Sequence, residues 1–105
     1  MTGAIVVLVT APDAAKAAEI ARALVEERLA ACGNVVPGLR SIYRWEGKVQ
    51  DDAEALLVLK TTRARFEALR ERVLALHPYA VPEVVALPVE AGSAPYLEWI
   101  GEQVR

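Results

Sequence analysis

The sequence predicts an α+β domain in which an antiparallel sheet carries helices on one face, in the order β-α-β-β-α-β with a C-terminal helix added. Three observations lead to this prediction. Residues 5–9 form a continuous apolar run, typical of a buried strand. Two long β-compatible segments flank the pair Glu46-Gly47. Segments with helical periodicity and cap residues separate these strands.

Composition bounds the kind of protein this chain can be. We expect one domain over residues 1–105, because the chain is too short for a second core. Hydrophobic residues make up 54% without Gly, against roughly 45–50% with Gly in typical soluble chains. A subunit interface is the ordinary place for such a surplus. The net charge of −2 argues against a nucleic-acid partner.

Because no targeting signal is recognisable in the sequence, the cytoplasm is the expected location. No apolar run reaches the length that spans a bilayer, so we expect no membrane partner. The first residues lack the basic segment and the cleavage site of a secretory signal. The single cysteine, Cys32, excludes an intrachain disulfide and agrees with a reducing compartment.

The first helix is predicted from a start signal and an apolar periodicity. Residues 10–13, Thr-Ala-Pro-Asp, indicate the start, with the threonine or the aspartate as N-cap. The apolar face continues as far as Ala31. We expect Gly33 to end this helix in the left-handed conformation, which places Cys32 at the helix C-terminus.

A long hairpin follows the first helix. Residues 35–45 and 48–60 are its strands, and the Glu-Gly pair between them makes a tight turn. Pro37-Gly38 is expected to kink the first strand. Residues 55–59 are apolar without alternation, which predicts that this half is covered on both sides.

The remaining elements complete the order. Thr61-Thr62 is expected to cap a second helix over residues 63–76, and His77 before a proline ends it. Residues 83–89 predict the fourth strand, and a Ser-Ala-Pro sequence at 93–95 opens the terminal helix.

This order is the ferredoxin-like split βαβ arrangement. Its two helices cover one face of the sheet and leave the other face bare, although the strands are apolar there too. We therefore predict a closed homo-oligomer.

Three residues are candidate metal ligands, each with a plainer alternative. His77 could ligate a metal, act as a base, or cap the free carbonyls of the preceding helix. Cys32 could be a ligand, a reactive thiol, or simply a small buried apolar residue. One histidine and one cysteine cannot build a closed four-ligand soft site, but several chains together could, with Glu83 as a carboxylate ligand.

Four further residues are candidates for ligand contact. Tyr79 lies in a rigid segment between two prolines, which suits either a binding site or a tight helix-to-strand joint. Tyr43 and Trp45 lie at the hairpin tip, where they form a recognition surface or, as we prefer, an intersubunit lock. Lys60 precedes a helix start and could bind an anion.

With these residues placed, the chain closely resembles the CutA family of divalent-cation tolerance proteins. The matching sequences run in order along the chain: Glu27-Arg28-Leu29-Ala30-Ala31-Cys32, Pro37-Gly38, Ser41-Ile42-Tyr43-Arg44-Trp45-Glu46-Gly47-Lys48, Leu59-Lys60-Thr61-Thr62, His77-Pro78-Tyr79, Val81-Pro82-Glu83 and Ala86-Leu87-Pro88. The resemblance implies a ferredoxin-like subunit in a PII-like homotrimer, with a role in tolerance to copper and other divalent metals.

Two functions follow as hypotheses. The first is a non-enzymatic trimer that binds copper or another divalent cation through His77, Glu83 and Cys32 near subunit boundaries. The second is a PII-like signalling or scaffold trimer that binds a small anion or a partner protein in an intersubunit cleft, which Lys60, Tyr79 and Glu83 would line.

Overall fold

In a computed structural model, which describes residues 2–105, the chain folds into a four-stranded sheet with three α-helices. The strands are β1 (Ala4–Ala11), β2 (Cys32–Trp45), β3 (Lys48–Thr62) and β4 (Val85–Pro88). The helices are α1 (Ala14–Glu26), α2 (Phe66–Leu76) and α3 (Ala94–Gln103), with a 3-10 turn at Arg63–Arg65. All pairings are antiparallel, and the spatial order is β2-β3-β1-β4. The predicted ferredoxin-like α+β fold is confirmed.

The core lies between the sheet and helices α1 and α2. Successive side chains of a strand point to opposite faces, so alternate residues of β1 and β3 meet these helices. The buried members of the core include Ile5, Val7, Val9, Ala11, Ala17, Ile20, Leu24, Ala55, Leu57, Leu59, Leu69 and Val73. None of the helices described combines the length and the hydropathy that a membrane-spanning helix needs.

The opposite side of the sheet is apolar as well, and most of it has no helix over it. We call its side chains the open apolar face: Val6, Leu8, Val36, Leu56, Val58, Val85 and Leu87. Val85 and Leu87 on the edge strand are 46% and 51% exposed. Helix α3 covers only one end, where Ile100 packs with Ala4 and Ala31. The predicted bare face is therefore present in the single chain.

Helix α1 begins as expected but ends seven residues before Gly33. The Asp13 carboxylate accepts a hydrogen bond from the Lys16 amide at 2.7 Å, as an N-cap does. At the other end Arg28 adopts a φ of 59°, and its amide and that of Leu29 donate back into the last turn. This is a Schellman motif with arginine, instead of glycine, in the left-handed position. The prediction that Gly33 ends the helix is wrong, because the buried Leu29 anchors the chain earlier.

The expectations for Cys32 and for Thr61-Thr62 are also wrong, because both segments are held by contacts with residues distant in the sequence. Cys32 is the first residue of β2, where it pairs with Lys60, so it does not lie at a helix C-terminus. Thr61 remains in β3 and is fully buried, and its hydroxyl donates to the carbonyl of Leu29 at 2.7 Å instead of capping a helix. Thr62 precedes the 3-10 turn without a side-chain cap bond.

The hairpin of β2 and β3 has the predicted turn and the predicted kink. Glu46 and Gly47 have φ values of 49° and 77°, the pattern of a type I′ turn. The register shifts between Val36 and Leu39, and Gly38 between them has a φ of 80°. With strands of 14 and 15 residues, the hairpin extends well beyond the helices.

Gly33 has a packing role that its sequence context does not reveal. A Cβ at this position would lie 2.9 Å from the Cβ of Ala21 and 3.0 Å from a methyl carbon of Leu59. These distances are shorter than ordinary van der Waals contacts. Helix α1 can therefore approach the sheet this closely only because residue 33 has no side chain.

We expect Gly33→Ala to lower the free energy of unfolding by about 1–3 kcal/mol, because the added methyl overpacks the contact between α1 and the sheet. Urea unfolding at fixed protein concentration measures this. Gly101→Ala in α3 is the matched control, since a Cβ there has nothing within 4 Å and alanine favours a helix by up to about 1 kcal/mol. Wild-type stability in Gly33→Ala would contradict the packing argument.

Candidate functional site

A cleft lies where the end of β1, the hairpin and the loop between α2 and β4 meet. Its volume is about 910 Å³, within the range of small-molecule pockets. The lining residues are Thr10, Pro12, Ser41, Ile42, Tyr43, Trp45, Asp52, Ala53, Glu54, Tyr79, Ala80, Val81 and Glu83. The cleft thus collects Tyr43, Trp45, Tyr79 and Glu83, four of the residues that the sequence singled out.

The hairpin contributes a tyrosine–carboxylate pair to the cleft. Ser41 lies opposite Asp52 in the register, so Tyr43 reaches diagonally across the two strands. Its hydroxyl donates to an Asp52 carboxylate oxygen at 2.5 Å. This hydrogen bond to Asp52, before any other cause, raises the pKa of Tyr43 above its ordinary value, because the bond holds the neutral phenol.

The loop between α2 and β4 contributes a second pair of the same kind. Tyr79 follows Pro78, whose ring restricts the backbone, and its hydroxyl donates to a Glu54 oxygen at 2.7 Å. The pKa of Tyr79 lies well above its ordinary value, first because burial disfavours the phenolate and then because of the bond to Glu54. The loop is thereby tied to β3.

His77 fixes the start of this loop with both ring nitrogens. The amide of Tyr79 donates to Nδ1 at 3.1 Å, so the proton of the neutral ring is on Nε2, which donates to the carbonyl of Thr10 at 2.7 Å. The ring is buried, with 8% of the residue exposed, and lies 4.6 Å from the ring of Tyr79. His77 ends helix α2 as predicted, but its ring joins the loop to β1 and does not cap the helix carbonyls.

The three candidate metal ligands occupy different places. Glu83 is exposed at the cleft, and His77 is buried behind the loop. Cys32 lies towards the other end of the sheet, where it pairs with Lys60, and Lys60 in turn pairs with Val6, four residues before Thr10 on β1. Among residues 2–105, no three His, Cys, Asp or Glu side chains lie close enough to hold one metal ion. A resident site for a metal ion therefore does not fit a single chain.

Cys32 and Lys60 belong to the end of the sheet near α3. The Cys32 sulfur lies 3.7 Å from the hydroxyl of Tyr96, and this contact is the first cause that raises the pKa of Tyr96. Lys60 donates from Nζ to the side-chain oxygen of Asn34. Neither residue lines the cleft with Tyr79 and Glu83, which the sequence had grouped with Lys60.

Sequence reasoning did not single out Asp52 or Glu54, although both line the cleft and bind its tyrosines. Their spacing of two residues, on a strand opposite Ser41 and Leu39, places both carboxylates on one face of the hairpin. That signal was available in the sequence. Tyr79 was not predictable as the partner of Glu54, because it comes from a loop 25 residues further along the chain.

The fold and the cleft define a class: a ferredoxin-like α+β domain whose apolar sheet face and acidic, aromatic cleft both face outward from the chain. Comparison with known proteins narrows the class. The sequence model described as "CutA1 divalent ion tolerance protein" matches residues 5–103. The chain belongs to the CutA1 family of divalent ion tolerance proteins.

Individual relatives agree with this assignment. The "Divalent-cation tolerance protein CutA" of Thermus thermophilus is 61% identical over 92% of this chain and 94% of its own length. "Protein CutA, chloroplastic" of Arabidopsis thaliana is 52% identical over 96% of this chain, which spans 56% of that longer protein. The solved structure of the Thermus thermophilus protein superposes with a TM-score of 0.95 at 58% identity, covering 97% of this chain and 99% of that one.

Because the pKa of Tyr79 is raised in the folded chain, this residue should make the protein less stable at high pH. Because the neutral phenol is favoured in the folded chain, this contribution is present below pH 10.0, the ordinary pKa, and is lost as the pH rises above it. We expect Glu54→Gln to lower the pKa of Tyr79 only part of the way, since burial remains. Tyrosinate absorbance, with Tyr79→Phe as the difference reference, measures this.

The matched control for this titration is Glu90→Gln, an exposed carboxylate away from the cleft, which should leave the titration of Tyr79 unchanged. A Tyr79 titration that is the same in Glu54→Gln as in the wild type would contradict the assigned pair.

Proposed function

We propose that this chain acts as a homotrimeric, cytoplasmic divalent-metal tolerance protein that binds copper or another divalent cation and is not an enzyme. Family membership supports the role, since the family and the Thermus thermophilus relative are both named for divalent-cation tolerance. The free thiol of Cys32 supports a reducing compartment.

The open apolar face is the observation that supports the proposed trimer. A sheet face that exposes Val36, Val85 and Leu87 to water loses hydrophobic free energy, at about 25 cal/mol per Å² of apolar surface. Covering it with further copies of the chain recovers that free energy, and a closed ring satisfies every copy equally. The long hairpin, with Trp45 near its tip, is suited to lock neighbouring subunits together.

Copper in this proposal is bound by ligands from more than one subunit. Glu83 is the readiest of the three candidates, because its carboxylate is exposed and makes no hydrogen bond or ion pair with the residues described. His77 would have to release the Thr10 carbonyl or the Tyr79 amide to coordinate a metal. Cys32 would contribute a thiolate to reduced copper.

The non-enzymatic part of the proposal is supported by the state of the tyrosines. Both cleft hydroxyls donate to carboxylates and have raised pKa values, so they are poor nucleophiles at neutral pH. The charge of the cleft also favours a cationic ligand over the small anion of the alternative PII-like signalling hypothesis. An anion there would face Asp52, Glu54 and Glu83.

For the assembly, we expect sedimentation at micromolar concentration to give a species three times the 11.4 kDa chain mass. Leu87→Glu should dissociate it, because a charge would be buried in the interface. Leu74→Glu is the control, since Leu74 is 43% exposed on α2, away from the open apolar face. A folded 11.4 kDa species in the wild type would defeat the trimer.

For the metal, we expect calorimetric titration with Cu²⁺ to show saturable binding with a Kd of about 10 μM or tighter. Glu83→Gln and His77→Ala should weaken it, while Glu90→Gln, outside the cleft, should not. Binding that is equally tight in all three variants would rule out these ligands.

A further inference from the structure

Helix α3 packs on a small apolar cluster of its own. Ile100 is its buried side chain, and it packs with Ala4 and Ala31 at one end of the sheet. The main core between the sheet and helices α1 and α2 includes no described residue of α3. An isolated helix shorter than about 12 residues is marginal in water, so α3, with 10 residues, depends on this docking. Separation of α3 from the sheet would leave the main core intact.

The segment that leads into α3 is suited to act as a hinge. Val89 is fixed to the sheet, because its amide donates to the carbonyl of Ala4 at 3.0 Å. Residues 90–93 follow, and all of them are exposed and lie outside helices and strands. Ser93, which precedes the helix, makes no side-chain cap bond. A rotation within these residues would break few contacts.

The far end of α3 is tied to the turn that ends α1. The amide of Arg105 donates to the carbonyl of Arg28 at 3.0 Å. Nη1 of Arg28 lies 3.5 Å from the carbonyl oxygen of Gln103, the last residue of α3. A cation is favoured there, because the carbonyls at a helix C-terminus carry partial negative charge. We call these two contacts the Arg28 strap.

Arg28 makes both contacts from a strained backbone. Its φ of 59° is left-handed, a conformation that costs free energy for any residue with a Cβ and that glycine adopts readily. Glycine would therefore serve the end of α1 better, whereas arginine adds the contact with Gln103. Backbone strain of this kind persists where surrounding contacts hold it in place, and it clusters at segments that switch between conformations.

We propose that α3 is a hinged cover, which the Arg28 strap holds closed and which opens about residues 90–93 while the rest of the domain stays folded. Opening takes Ile100 off the end of the sheet and uncovers Ala4 and Ala31. The open apolar face is then longer at this end. The strap therefore controls how much apolar surface the sheet presents, with or without a bound metal ion.

The cover is tested by native-state hydrogen exchange of the intact protein, at urea concentrations below the unfolding transition. The amides of Glu98 and Ile100 in α3 should exchange through a local opening that exposes little surface, so their exchange should depend only weakly on urea. The amides of Ile20 and Leu24 in α1 should depend on urea much more steeply, because they exchange through global unfolding. The same urea dependence in both helices would overturn the cover.

The backbone contact of the strap is tested by removing one donor. Arg105→Pro deletes the amide that donates to Arg28, and Val104, with φ −108° and ψ 154°, already has the extended backbone required before proline. Exchange of the α3 amides should become about three-fold faster or more. Arg105→Ala is the matched control, since it keeps the amide and should leave exchange unchanged. Equal exchange in these two variants would overturn the strap.

Arg28→Gly separates the strap from a purely structural role. Glycine relieves the strain at the end of α1 but removes the guanidinium group from Gln103, so the two helices should respond differently. The α3 amides should again exchange about three-fold faster. The amide of Leu29, which donates into the last turn of α1, should exchange no faster than in the wild type. Faster exchange at both places, or at neither, would contradict the role assigned to Arg28.

Discussion

Helices α1 and α2 pack on one face of the sheet only, and the rest of the molecule depends on this constraint. It allows α1 to approach β2 at Gly33 so closely that a methyl group would not fit. It also leaves the other face with side chains such as Val85 and Leu87 about half exposed. An isolated domain of this size has a small core, and leaving a second apolar face in water costs it hydrophobic free energy, which supports the proposal that this face is an interface.

The one imidazole of the chain performs a structural task at the edge of the cleft. His77 accepts from the Tyr79 amide and donates to the Thr10 carbonyl, and so it ties the loop to the end of β1. A buried ring with both nitrogens satisfied is costly to recruit as a ligand, since each lost hydrogen bond leaves a partner unpaired. The loop is thus held in place by contacts that a metal would have to break. Metal binding at His77, as proposed above, would therefore displace the Tyr79 loop.

Local patterns in the sequence were sufficient for the element order, the hairpin turn and the kink at Gly38, because each depends on neighbouring residues. The end of α1 was not predictable from the commonest left-handed residue, since Arg28 takes that conformation to bury Leu29. Thr61 likewise bonds to the carbonyl of Leu29, 32 residues away. In the cleft, individual tyrosines could be singled out, but the pairing of Tyr79 with Glu54 depends on where the loop docks.

The charge of the cleft follows from how β3 sorts its carboxylates. Successive residues of a strand face opposite sides, so Asp51 and Asp52 point apart. Asp51 meets Arg40, whose guanidinium binds both its oxygens at 2.9 and 2.8 Å and holds the pKa of Asp51 below its usual range. Asp52 and Glu54 meet neutral phenols instead. The face of β3 that carries Asp51 is thereby neutralised by Arg40, while the face that lines the cleft keeps the negative charge of Asp52 and Glu54, because alternation along one strand separates the two sets of carboxylates.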